Sequence, residues 1–456
     1  MRNINILAID DEQEQLTSIQ NALFASGLPC LPICYDYDPI SNKSGIEHVD
    51  TSSYEPRVII TDLNLRNGSL SNTMELVNPI AQILKKLNLN GPYLLIFWSG
   101  VTTEVENVMN LIQERFGNEI TLPLHHSSIN KDQYLSSKAD PDLLKEKVYE
   151  LINESALLRA LIDWETRIIN AAKHTTNSLF TLTKPDTINA TYQQDHTQEL
   201  ETILAKIGNE TVGILNAAEQ PEMALDLGLA PVLNDQLHTI SNNSDSQFWK
   251  NAAPSIGTEV TINETQATKL NSFYHIENVA NDYPKSCRGV FIEIASDVLV
   301  NETKRKKLEA RLGITLRELI EEEFLSQIVN KTNLDTVASS TKLGFIEISA
   351  ECDQAQKKTK LHRYVLAALT PLKHGEYDIY NKQNRKSHAG IYRVPDIHID
   401  NADYMLQLTF KYQIGSIPNE NIWLGNTKFR LRDQIMTEIS FICAQYISRP
   451  GIISFK

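Results

Sequence analysis

Residues 58–65, VIITDLNL, constrain this chain more than any other stretch. Four apolar or β-branched residues lead into Asp62, and a loop follows that soon reaches Gly68. Such a run reads as a buried strand that delivers Asp62 to the carboxyl edge of a sheet, where open α/β folds bind ligands. Taken alone, an aspartate at a strand end is more often a turn former or a helix cap. What precedes and follows it changes the reading.

Residues 4–9 form a second apolar strand, ending in Asp10, Asp11 and Glu12, and the helix after it sets Leu16, Ile19 and Leu23 on one face. Residues 31–35 read as a strand and residues 39–56 as a long polar connection. Beyond VIITDLNL, Ile80, Ile83, Leu84 and Leu87 make a helical stripe, with Pro79 expected in its first turn. Residues 93–98, YLLIFW, are a fourth strand delivering Ser99 and Gly100, followed by Val105, Val108, Met109, Ile112 and Phe116 at helical spacing. The fifth strand is expected at residues 133–138, QYLSSK, running into a helix that Asp140 caps and Pro141 starts; its inner face is Leu144, Val148, Leu151 and Ile152. In an alternative register residues 120–124 are the fifth strand and Lys131 takes the place of Lys138. Strand and helix alternate five times, which predicts a doubly wound parallel sheet.

The carboxyl ends of those strands bring together Asp10, Asp11, Asp62, Ser99 and Lys138. Neighbouring carboxylates are costly to hold together unless a cation neutralises them. Three of them suit Mg2+, which bridges protein carboxylates to a phosphoryl group. In that arrangement Asp62 is the nucleophile that takes a phosphoryl group, while Asp10 and Asp11 hold the metal. Lys138 pairs with one phosphoryl oxygen and Ser99 donates to another.

Through ILAIDDE, VIITDLNL, the Ser99 strand end and the lysine turn into a last helix, residues 1–153 resemble the receiver domain of two-component response regulators. The resemblance implies a flavodoxin-like sheet of order 2-1-3-4-5 and Mg2+-dependent phosphorylation of Asp62 by the phosphohistidine of a partner histidine kinase. It also implies that the backbone carbonyl of Asn64 contacts the metal. The chain departs from the family pattern in several places. Arg66 stands where proline is common after the aspartate loop, Ala139 replaces the proline after the lysine, and Leu135 stands where a switch aromatic is expected, with Tyr134 one place away.

Past residue 154 the pattern turns helical. Leu157, Leu161, Trp164, Ile168 and Ile169 stripe a long helix that is expected either to form a homodimer seam or to pack under its own domain. Residues 181–198 read as a polar connection, 200–233 as two or three short helices and 238–257 as a polar loop. From 258 onward GTEVTI, RGVFIEIAS, KLGFIEIS, RYVLAALTP, GIYRVPDIHI and YMLQLTFKYQI read as strands. Thr315 with Glu318 predicts a capping box, and a final helix is expected from about Arg430. The expected domains are 1–153, a receiver; 154–257, a helical middle region; and 258–456, an α+β domain of mostly antiparallel strands.

Composition limits the partners. At 456 residues with 43 basic and 57 acidic side chains, the formal charge is −14, which disfavours nucleic acid or anionic membranes as general ligands. Five scattered cysteines, Cys30, Cys34, Cys287, Cys352 and Cys443, argue for a reducing compartment. Charge comes too early for a signal peptide and no apolar run approaches a membrane span, so a cytoplasmic protein is expected. No Walker loop, GxSxG elbow, HExxH or basic recognition helix is present, and an enzymatic output is not expected. The best cluster for one is Glu351, Cys352, Asp353 and His362, with His374 and His388 nearby. With ECDQAQ at residues 351–356 and SRPGI near the end, the whole chain resembles the standalone receiver protein of Detocs-type anti-phage defence. That resemblance implies a phosphate sink serving a histidine kinase and a separate effector receiver. The alternative is a response regulator whose C-terminal domain is a phosphorylation-switched interaction or signalling output.

Overall fold

The computed structural model describes residues 4–448 apart from 26, 39, 42, 49–53, 67–72, 135–140, 242–245, 326–328, 330–331, 357 and 373–389. The chain divides into two compact units, Met1–Thr202 with Leu229–Glu259, and Ile203–Gly228 with Val260–Lys456. No helix among the described residues is long and apolar enough to cross a membrane.

The first unit is built on β1 (Ile6–Asp10), β2 (Cys30–Cys34), β3 (Val58–Asp62), β4 (Leu94–Trp98) and β5 (His125–Ile129), all parallel in the order β2-β1-β3-β4-β5. This is the flavodoxin-like sheet expected from the sequence. Its inner strands β1, β3 and β4 are buried along their whole length, as strands covered on both faces must be. Successive residues feed opposite cores. Leu7, Ile9, Ile59, Leu95 and Phe97 pack with α2 (Thr73–Leu87) and α3 (Val105–Phe116). Ile6, Ala8, Val58, Ile60, Leu94 and Ile96 pack with α1 (Gln13–Ala25) and α4 (Pro141–Glu154).

Some local expectations are corrected in this unit. The fifth strand is HHSSI at His125–Ile129, neither QYLSSK nor residues 120–124; Gln133 sits instead in a 3-10 turn, Lys131–Gln133. An edge strand needs hydrophobic contact on few positions, and of these five residues only Ile129 is buried, so no apolar run marks it. Pro79 lies inside α2 rather than in its first turn, because the helix begins at Thr73. The long helix after the sheet is α5 (Ala156–Leu182), set off from α4 by Ser155, whose hydroxyl caps the Leu158 N–H at 3.3 Å. Arg57 fastens it through Nε and Nη2 to Glu165, at 3.0 and 2.7 Å.

Further helices are α6 (Tyr192–Val212), α7 (Ile214–Glu219), α8 (Pro221–Ser241) and α9 (Ser246–Ala252); the unit boundary falls inside α6 and α8. The expected polar stretches 181–198 and 238–257 therefore include the start of α6 and the whole of α9. Residues 257–262, expected as a strand, form none, and α10 (Glu264–His275) follows with an Asn263–Gln266 capping box.

The second unit holds an antiparallel sheet of β6 (Ile276–Asn278), β7 (Val290–Ile294), β8 (Lys342–Glu347), β9 (His362–Pro371), β10 (Ile391–Arg393), β11 (Ile397–Ile399), β12 (Ala402–Ser416) and β13 (Leu424–Leu431). Strand order is β10-β12-β9-β8-β7-β13-β6, with β11 beside β12. One face carries α11 (Ser296–Val300), α12 (Glu302–Leu312), α13 (Leu316–Glu318) and α14 (Leu334–Ser340); the predicted Thr315–Glu318 capping box starts α13, which continues as a π-helix over Leu319–Leu325. The other face is closed by α16 (Asp433–Ile447). Between β8 and β9 lies α15 (Glu351–Ala355). The final helix starts at Asp433 rather than Arg430, since Arg430 belongs to β13, a strand whose polar outward residues hid it.

Gly289 opens β7 at φ +84°, and a Cβ there would lie 2.4 Å from the Leu431 carbonyl oxygen. Its N–H donates to Glu347 O and its carbonyl accepts from Leu431 N–H, both at 2.9 Å, so it joins two neighbouring strands where no side chain fits. Gly289→Ala is expected to destabilise the second unit by about 2–3 kcal/mol through strain at a left-handed φ and the backbone clash. Urea unfolding followed by tryptophan fluorescence should show Trp423 exposed at lower denaturant while Trp98 holds; equal midpoints in wild type and variant would contradict this.

Candidate phosphoacceptor site

Parallel registration sets the site. Ile9 pairs with Thr61, so Asp10 and Asp62 leave neighbouring strands side by side, with Asp11 one residue beyond the first. One carboxylate oxygen from each of Asp10, Asp11 and Asp62 lies within 4.8 Å of the others. Asp10 is fully buried; its Oδ1 accepts the Glu12 N–H at 2.8 Å, while its Oδ2 is buried with no hydrogen-bond partner. Asp62 is held from behind, its Oδ1 accepting the Leu63 N–H at 2.7 Å and its carboxylate accepting from Asn64 N–H. The Lys131 ammonium lies 3.6 Å from Asp62 Oδ2, both side chains largely buried.

Burial dominates the titration of this cluster. Desolvation lifts the Asp10 carboxyl to about 7, opposed by the Glu12 N–H and assisted by the charge of Asp62. Desolvation also raises Asp62, against the pull of Lys131, and raises Asp11. Three crowded oxygen ligands, one of them a buried acceptor without a partner, fit a hard divalent cation of the Mg2+ type. Asp10, Asp11 and Asp62 would hold it from their side chains.

Ser99 follows β4, buried at the same sheet edge. Its N–H donates to Ile129 O at 3.1 Å, its hydroxyl oxygen accepts the Val101 N–H at 3.1 Å, and its carbonyl accepts the Lys131 N–H at 3.4 Å. The Ser99 and Lys131 loops are thus tied by backbone bonds. Lys138, the lysine first expected here, lies outside the described residues, as do Leu135 and Ala139. Lys131 was open only as the alternative; the signal for it is its place two residues after Ile129, the last residue of β5. Tyr134 follows the same turn and packs on Trp98, ring centroids 5.9 Å apart.

The C-terminal candidates divide. His362 Nδ1 lies 2.9 Å from Oε1 of Glu347, a fully buried carboxylate whose Oε2 accepts from Gln354 Nε2 at 2.5 Å and Ser349 N–H at 3.1 Å. Gln354 Oε1 in turn accepts the Arg288 N–H at 2.8 Å. The ECDQAQ stretch thereby supplies Gln354 as an anchor between two strands, a role that glutamine's paired donor and acceptor permit. His374 and His388, and the side chains of Glu351 and Cys352, lie outside the described residues.

No family model and no curated protein matches the chain. Among solved structures it is similar to the chemotaxis response regulator CheY4 of Vibrio cholerae, at 13% identity over 32% of this chain and 98% of that one, with a TM-score of 0.19. It is also similar to NtrX from Brucella abortus, at 14% identity over 43% of this chain and 40% of that one, with a TM-score of 0.20. Scores this low add nothing to the strand order, on which the fold assignment rests.

A raised carboxyl weakens the fold as it ionises. Asp10 is neutral in the folded protein but ionised in the unfolded chain between 3.8 and about 7, so without divalent cation its contribution to stability falls as pH rises through that window. Asp10→Asn should therefore raise the apo melting temperature at pH 8, with the gain shrinking as pH falls from 7 toward 4. A variant melting at or below wild type at pH 8 would contradict this.

Proposed function

We propose that the protein is a receiver-type phosphoacceptor in which Asp62 takes a phosphoryl group from a partner histidine kinase. The observation that carries the reading is the acidic cluster of Asp10, Asp11 and Asp62 with Lys131 3.6 Å from Asp62 at the edge of a 2-1-3-4-5 sheet. An Asp62 carboxylate oxygen attacks phosphorus as the bond from phosphorus to histidine nitrogen breaks, and the imidazole leaves with a proton. Later, water attacks the acyl phosphate, releasing inorganic phosphate and restoring the carboxylate. Backbone N–H groups of Leu63 and Asn64 orient the nucleophile. Lys131, rather than Lys138, moves from Asp62 Oδ2 to a phosphoryl oxygen, and Ser99, whose oxygen already accepts from Val101, donates its proton to another. Asp10, Asp11, Asp62 and the Asn64 carbonyl would hold Mg2+, which when bound would supply charge neutralisation for the transferring group.

In this reading the protein works as a sink in an anti-phage phosphorelay, drawing phosphoryl groups from the kinase and away from a separate effector receiver. The second reading is an output switched by Asp62, in which phosphorylation changes association through α5. It is favoured by Leu157 and Trp164, which α5 leaves 47% and 49% exposed on one stripe.

With acetyl phosphate and Mg2+, wild type should gain one phosphoryl group by intact-mass measurement, Asp62→Ala none, and Lys131→Ala should react about 100-fold more slowly. Phosphate uptake by Asp62→Ala equal to wild type would refute the assignment. Beryllofluoride-dependent dimerisation in light scattering would favour the output reading. Unchanged mass, together with suppressed labelling of a second receiver in a kinase mixture, would favour the sink.

A further inference from the structure

Arg66 stands four residues after the phosphoacceptor, and its side chain runs back across the site's flank. Its guanidinium lies over the Tyr37 ring, 3.5 Å from the centroid. Nε donates to the Tyr35 hydroxyl at 3.1 Å, and Nη2 donates to Gln82 Oε1 on α2 at 2.9 Å. Tyr35 is buried, and its own N–H donates to the carbonyl of Asp10 at 2.8 Å. A continuous path of contacts thus joins the segment after Asp62 to the backbone of Asp10.

We propose that Arg66 is a positioning residue for the cation site, clamping the Asp62–Arg66 segment against the chain that holds Asp10. The proposal rests on the receiver reading above and adds a role that reading leaves unassigned. Two ligand-bearing strand ends must keep a fixed separation if three carboxylates are to meet one ion; the β1–β3 pairing runs only to Ile9 and Thr61, and beyond it the repulsion of like charges is opposed by Lys131 and by whatever fixes the following loops. Buried Leu63 and Leu65 anchor the Asp62 segment from below, and Arg66 fixes its far end. A planar guanidinium can stack on Tyr37 while donating in two further directions; an ammonium cannot reproduce that geometry.

The sign of the effect separates positioning from charge. Removing a cation near a divalent-metal site tightens metal binding on electrostatic grounds alone, whereas loss of the clamp loosens it. The test is Mn2+ affinity of the full-length protein, read as free Mn2+ by electron paramagnetic resonance, with no phosphoryl donor present. Arg66→Ala and Arg66→Met should each weaken binding about 10-fold, the scale on which outer-shell partners act. Arg66→Lys should recover only part of the loss, and Arg115→Ala, which removes an exposed arginine on α3, should change nothing. Arg66→Met keeps bulk against Tyr37 and guards against a folding defect in the alanine variant. Affinities within twofold of wild type, or tighter, in Arg66→Met would overturn the clamp while leaving the site intact. Wild type that binds no Mn2+, or binds it equally after Asp11→Asn, would instead overturn the receiver reading on which the clamp depends.

Discussion

The first unit is organised by a conflict between burial and charge. Asp10 and Asp62 leave adjacent parallel strands with their carboxylates nearly or wholly removed from water, Asp11 stands beside them, and only Lys131 among the described cations reaches Asp62. One ammonium cannot balance three carboxylates, so the protein either keeps a proton on Asp10 or takes up a cation. The rise of Asp10 to about 7 is the first answer; the partnerless Oδ2 is the opening for the second. A fold seeking only stability would place an amide there. The surrounding backbone donors from Glu12, Leu63 and Asn64 steady the acids without neutralising them.

What makes that concentration of charge tolerable is the sheet beneath it. Alternating residues of β1, β3 and β4 fill two separate cores, so each of these strands is locked in register on both faces. A slip by one residue would send Asp10 and Asp62 to different faces and bury the wrong side chains. The same regularity explains why the acidic site was legible in the sequence. Ile6–Asp10 and Val58–Asp62 are runs of apolar or β-branched residues ending in carboxylates, and buried parallel strands write themselves that way.

Legibility fails where burial is one-sided or partners are distant. β5 reads HHSSI because an edge strand is covered on one side only, and in the sequence Lys138 is favoured over Lys131 because a capped helix directly follows it. β13, LGNTKFRL, alternates buried and polar residues at the sheet's interior, yet its leucines and phenylalanine are spaced widely enough to pass for a loop. Conversely, GTEVTI has strand-favouring residues but finds no neighbouring strand, since β propensity reflects packing more than backbone preference. Arg66 was visible only as a departure from a family pattern; that it reaches Tyr35, Tyr37 and Gln82 depends on three segments meeting, which no local window contains.

The second unit resolves its own buried charge by a different route, and the contrast bears on where chemistry resides. Glu347 is as deeply buried as Asp10, and desolvation raises it too, but its oxygens meet His362, Gln354 and the Ser349 N–H. A carboxylate satisfied on both oxygens by side chains from α15 and β9 cross-links those elements and has no vacancy for an ion. Asp10 keeps one oxygen without a partner, beside two further acids, at the edge of the sheet. Of Glu347 and Asp10, the acid left unsatisfied is therefore the one placed to bind an ion that is not part of the chain.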